Sequence, residues 1–126
     1  MMQAGLASLA FGLPSFPLWS QERQFTLEQL TGRSDPDLHG EGINLLKEAH
    51  DAFLEMKKAA YQDGIDIKVV SSYRSYERQR TIFENKYVAF TEEGMEPLEA
   101  IDKIVEYSTI PGTSRHHWGT DADLID

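Results

Sequence analysis

"QDGIDIKVVSSYRSYERQ", residues 62–79, carries three structural instructions in succession. Gly64 sits where a glycine closes the C-terminus of a helix, because only glycine enters the left-handed conformation without penalty. Ile65, Ile67 and Val69 then alternate with polar neighbours, the period of a strand with one buried face. Ser75 follows as an N-cap, and Ile82, Phe83 and Tyr87 return to helical spacing. Upstream, Leu45, Leu46, Ala49, Phe53, Met56 and Ala60 recur every three or four residues, predicting one long helix over residues 43–64. Downstream, a third helix begins near Pro97, Pro111-Gly112 makes a turn, and residues 120–126 read as extended. Residues 25–42, punctuated by Gly32, Asp35, Pro36, Gly40 and Gly42, read as loop. The order helix, strand, helix, helix, strand specifies the α+β class, with a small antiparallel sheet packed against helices.

Composition bounds the function. The 126 residues fit one domain, and 40% hydrophobic with 26% charged residues is ordinary for a globular chain. A net charge of −9 argues against nucleic acid, whose phosphates need clustered Lys and Arg, and against an anionic membrane surface. The lack of cysteine removes disulfides, thiolate metal sites and cysteine nucleophiles together. The apolar stretch at residues 1–19 has no basic residue ahead of it and is interrupted by Gly12, Pro14 and Pro17. It is no clear signal peptide and is too short for a membrane span, so it is expected to be an arm lying on the domain.

Two places carry chemistry. In "SSYRSYERQ", residues 71–79, Arg74 stands where the strand meets the helix. An arginine there can grip a carboxylate or stabilise a developing oxyanion; alternatively it is a surface arginine paired with Glu77. The second place is "SRHHWGTDAD", residues 114–123. His116 and Asp123 lie seven residues apart, about 23 Å on a straight strand and on opposite faces. They can share an ion only if the chain curls between them, which Gly119 permits. Asp121 and Asp123 would share one strand face and repel unless a cation or donor lies between them. Imidazole with carboxylate suits zinc, whereas calcium wants six to eight oxygens. The plain alternative is a polar, frayed end. His117, pointing away from His116 on an extended chain, reads as a supporting or surface residue, and His39 and His50 as histidines without a catalytic role.

Taken together, the two motifs resemble those of the VanY-type zinc D-alanyl-D-alanine carboxypeptidases, related to D-Ala-D-Ala dipeptidases and murein endopeptidases. "SSYRSYERQ" supplies Ser71, Tyr73, Arg74, Ser75 and Gln79 of the first motif; "SRHHWGTDAD" supplies Ser114, His116, Gly119, Asp121 and Asp123 of the second. Asp121 stands where the carboxypeptidases often have Ala and the endopeptidases Asp. The resemblance spans residues 38–126, leaving 1–37 as N-terminal arm and loop, and implies the hedgehog/D-Ala-D-Ala peptidase fold. It also implies zinc held by His116 and Asp123, Arg74 as the catalytic oxyanion partner, and Ser114, Tyr73 and Gln79 as substrate-binding residues. The partner implied is a peptidoglycan peptide, and the compartment the cell envelope or periplasm.

One part of the family pattern is missing. Its third motif, E-x-W-H, brings the third zinc ligand and the general base, and no such motif follows Asp123 in this sequence. The expectation is therefore the front part of a longer peptidase: incomplete at the C-terminal side of its sheet, inactive in this form, and open to self-association through an exposed edge. A non-catalytic zinc- or peptidoglycan-binding module of the same fold is the alternative.

Overall fold

The computed structural model describes residues 24–126. The arm expected over residues 1–19 lies outside them. Eight regular elements run in the order α1 (Leu27–Thr31), β1 (Leu38–His39), β2 (Leu45–Leu46), α2 (Lys47–Gln62), β3 (Lys68–Ser71), α3 (Tyr76–Glu92), α4 (Pro97–Val105) and β4 (Asp123–Ile125). A 3-10 turn, Arg115–Trp118, precedes β4. The class is α+β, as the sequence indicates, but the strands form two antiparallel pairs, β1 with β2 and β3 with β4.

The central stretch folds largely as read. α2 ends at Gln62 and the chain reverses through Gly64 at φ +81°. β3 is shorter than the alternation suggested. The amides of Gly64 and Ile65 turn back to Tyr61 and Ala60, so Ile65 stays in the turn and 41% exposed. Ser75 caps α3 by accepting from the Arg78 amide, and Pro97 occupies the first turn of α4, where its missing N–H is harmless.

Two expectations need correction. Leu45 and Leu46 do not open the long helix. They pair with His39 and Leu38, and the Leu46 amide donates to the Gly119 carbonyl at 2.8 Å. Asn44 at φ +49° breaks the helix before it starts, so α2 begins only at Lys47. Residues 25–42 are also not all loop. Thr26 and Gln29 form a capping box around α1, and Gly32 ends it in the left-handed conformation.

The buried apolar core among the described residues is small: Leu45, Phe53, Ala100 and Ile104. Ala100 and Ile104 belong to α4, which packs on α3. Phe53 anchors α2, whose outer stripe remains open, with Met56 44% exposed. α1 lies against the 3-10 turn, and the Trp118 indole N–H donates to the Leu30 carbonyl at 3.3 Å. No helix among the described residues is long and apolar enough to cross a membrane.

Candidate active site

The second motif does curl. Ser114 caps the 3-10 turn with its hydroxyl, Gly119 leaves that turn at φ +68°, and β4 begins only at Asp123. The curl overcomes the unfavourable odd spacing and leaves His116 Nε2 at 3.4 Å from Asp123 Oδ2. The imidazole is mostly buried, at 13% exposure, while the carboxylate is 64% exposed.

That separation is one a shared ion could span. Charge-assisted hydrogen bonds run at about 2.7–2.9 Å. Two ligands each about 2.1 Å from a tetrahedral zinc stand about 3.4 Å apart, so the pair already has the edge length of a zinc site. Two features fall short. No group of three potential ligands from His, Cys, Asp or Glu exists among the described residues. His116 Nδ1 is buried without a hydrogen-bond partner there, whereas a ligating histidine usually donates its second nitrogen to an acceptor that orients the ring.

Asp121 behaves differently from the strand reading. It precedes β4 and turns to Arg115, with Nε–Oδ2 at 3.4 Å. The two carboxylates therefore meet two different partners, Asp121 the Arg115 guanidinium and Asp123 the His116 imidazole, instead of repelling across one face.

Arg74 reaches the same neighbourhood. Its backbone N–H donates to the His116 carbonyl at 3.0 Å. Its guanidinium donates to Ser71 Oγ at 2.9 Å and Gln79 Oε1 at 2.7 Å. Ser71 stands opposite Asp123 in the β3–β4 ladder, so these two side chains are neighbours on one face. Among the described residues no carboxylate forms an ion pair with Arg74, and the pairing with Glu77 is taken by Arg80 at 2.9 Å. Neutral partners hold the arginine in place and leave its positive charge uncompensated, the condition an oxyanion partner needs.

The remaining motif residues are less accessible. Gln79 is 0% exposed; its amide nitrogen donates to the Thr109 carbonyl at 2.7 Å and Ser108 Oγ at 3.2 Å. With its oxygen on Arg74, the amide is fully engaged, so Gln79 orients Arg74 and presents nothing to solvent. Ser114 is 2% exposed, its hydroxyl accepting from the His116 amide. The Tyr73 hydroxyl faces away, 3.4 Å from the Ser34 carbonyl, and burial, with Asp35 nearby, raises its pKa.

His117 is a residue whose part the sequence left open. It is 2% exposed, so it is no surface residue. Its Nε2 accepts the Gly112 N–H at 3.0 Å, and its Nδ1 contacts the Arg74 carbonyl. Burial lowers its pKa from 6.5, against an opposing pull from the Arg74 carbonyl. His117 also lines a largely apolar cavity of about 290 Å³, with Phe25, Leu30, Pro36, Leu46 and Trp118, to which neither His116 nor Asp123 contributes. His39 and His50 lie apart from the site, hydrogen-bonded to Asp37 and Asp51.

The site is thus a curled His/Asp pair beside a strand-end arginine on an α+β scaffold, and comparison with known proteins specifies the class. The family described as VanY, D-alanyl-D-alanine carboxypeptidase, matches residues 42–126, and the chain belongs to it. The Bacillus subtilis (strain 168) protein YodJ, a carboxypeptidase by name, is 37% identical over 78 residues, which is 62% of this chain and 25% of YodJ. Among solved structures, a mutant of the vancomycin resistance D,D-pentapeptidase VanY from the VanB-type cassette, in complex with Zn(II), superposes with a TM-score of 0.61. It is 25% identical, over 71% of this chain and 52% of that one. The LD-carboxypeptidase LdcB, solved for its peptidoglycan recognition, is 33% identical with a TM-score of 0.54, over 71% of this chain and 40% of its own. The chain thus spans between a quarter and about half of these relatives.

Proposed function

We propose that this chain carries the arginine and the first two zinc ligands of a zinc-dependent peptidase acting on D-Ala-D-Ala or related peptidoglycan peptide bonds at the cell envelope. The observation that carries this reading is the 3.4 Å His116–Asp123 separation, with Arg74 held beside it by neutral partners. His116 Nε2 and Asp123 Oδ2 would hold the zinc, which supplies Lewis acidity to the scissile carbonyl and to water. Arg74 directs free N–H donors toward the oxygen that becomes negative as the carbonyl turns tetrahedral. Gln79 and Ser71 fix the guanidinium; Ser114 fixes the turn that presents His116. Direct substrate contact falls to Arg74 rather than to the enclosed Gln79.

Two ligands hold zinc weakly, since catalytic sites use three from the protein. No general base stands with the pair among the described residues, and such a base contributes roughly 10²–10⁴ to the rate. The 126-residue chain alone is therefore expected to turn over D-Ala-D-Ala peptides poorly, and a chain extended by a segment bearing E-x-W-H to do so well. The assay is D-alanine release from a pentapeptide with zinc supplied. Robust turnover by the 126-residue chain that survives His116→Ala would overturn the site. That no third ligand joins the pair among the described residues favours a second reading, a non-catalytic zinc- or peptidoglycan-binding module of the same fold. That reading predicts zinc-dependent peptide binding that no downstream segment converts into turnover.

A further inference from the structure

We propose that His117 is a positioning residue for Arg74, holding the strand-to-helix corner that aims the guanidinium at the His116–Asp123 pair; this rests on the peptidase reading above. The hydrogen-bond pattern fixes the tautomer. A backbone N–H can only donate, so the Gly112 amide at 3.0 Å requires a bare Nε2. In a neutral imidazole the proton then lies on Nδ1, where it donates to the Arg74 carbonyl. Consecutive residues of the 3-10 turn therefore grip the two main-chain polar groups of Arg74: the His116 carbonyl takes its N–H and the His117 ring takes its C=O.

The ring has little freedom to leave this arrangement. Gly32 packs so close that a Cβ there would lie 2.4 Å from His117 Nδ1 and 2.8 Å from the Tyr76 amide. The Gly32 carbonyl in turn accepts from that Tyr76 amide, at the start of α3. α1, the 3-10 turn, the Gly112 turn and the first residue of α3 thus converge on one imidazole. Arg74 is consequently fixed at both ends, its main chain by His116 and His117 and its head by Gln79 and Ser71. An oxyanion partner benefits from this, because a donor already in place needs no reorganisation as charge develops.

Two substitutions split the two contacts. His117→Asn can place an amide N–H near the Nδ1 position and keep the donor to Arg74; His117→Gln can place its carbonyl near Nε2 and keep the acceptor for Gly112. Each loses one buried hydrogen bond, so both should melt earlier to a similar degree. The probe is a phosphinate analogue of D-Ala-D-Ala, which presents a tetrahedral oxyanion, set against the plain dipeptide, both titrated at saturating zinc. His117→Gln and His117→Ala should lose about tenfold or more in phosphinate affinity, with dipeptide and zinc affinity little changed, whereas His117→Asn stays near the parent. Long-range ¹H–¹⁵N spectra should show the Nδ1–H tautomer at His117. An Nε2–H tautomer, or His117→Gln binding the phosphinate like the parent while Arg74→Ala does not, would overturn this proposal alone. If Arg74→Ala itself binds the phosphinate normally, the peptidase reading falls and takes the proposal with it.

Discussion

Gly119→Ala tests whether the curl in the second motif makes the metal pair. Gly119 sits at φ +68°, and an added Cβ would lie 3.0 Å from Leu46 Cγ and 3.5 Å from Leu38 Cδ2. The left-handed conformation alone costs an L-residue about 1–2 kcal/mol. The tight contact with Leu46 adds roughly 1 kcal/mol, at the low end of overpacking because a leucine side chain can give way. Gly64→Ala is the matched control: its φ is +81° and a Cβ there meets nothing within 4 Å. It should show only the conformational part. For a domain of about 100 residues, each kcal/mol lowers Tm by roughly 4–8 °C. Gly64→Ala should thus fall by roughly 4–16 °C and Gly119→Ala by several degrees more. Zinc binding separates the two further. Gly119 also presents the carbonyl that receives the Leu46 amide and lies between His116 and Asp123. A shift there opens the 3.4 Å pair. Calorimetric zinc titration should therefore weaken about tenfold for Gly119→Ala, equivalent to about 1.4 kcal/mol, and stay unchanged for Gly64→Ala. Equal zinc affinity in the two variants would refute the claim that the curl, rather than the mere presence of His116 and Asp123, creates the site.

Gln79→Leu should destabilise the fold by about 2–4 kcal/mol, because it strips partners from Arg74, Ser108 and the Thr109 carbonyl in a fully buried place; denaturant unfolding measures it, and a loss under 0.5 kcal/mol would contradict the enclosed network. His116→Ala and Asp123→Ala should each abolish the zinc binding that calorimetry detects in the parent, while Asp121→Ala, whose carboxylate faces Arg115, should not. Acid should weaken the fold through His117. Its folded pKa is lowered from 6.5 by burial, so below pH 6.5 the unfolded chain takes up a proton that the folded one refuses. Stability then falls with pH at up to about 1.4 kcal/mol per unit until the folded pKa is reached, and is unaffected by this group above 6.5. The Tm advantage of the parent over His117→Asn should accordingly shrink between about pH 7 and pH 5; a constant advantage would show that the imidazole is not held neutral.

Short-range chemistry was legible in the chain. The glycine stop at Gly64, the strand at Val69, the Ser75 cap and the Pro97 start each act within a few residues and fold as read, while the alternation fails at Ile65, which the Gly64 turn holds out of the strand. The family, too, was written in two short motifs. α1 has an equally local signal in the Thr26–Gln29 capping box and Gly32, but the glycine, proline and aspartate residues that follow outweigh it in a reading by composition. Other features depend on partners far along the chain. Leu45 and Leu46 fit the helical stripe perfectly well, yet they are strand because Leu38, His39 and Gly119 offer their backbone a ladder. Periodicity records which residues seek burial, and cannot record which distant carbonyl will take their amides. The sequence by itself determined the succession α2, β3, α3, α4, β4 and the presence of Arg74, His116 and Asp123. Only the tertiary structure decided that an odd spacing closes to 3.4 Å, that Gln79 is enclosed as the support of Arg74, and that His117 grips the corner between them. Those contacts join residues up to 43 positions apart, and only the closed chain brings them together.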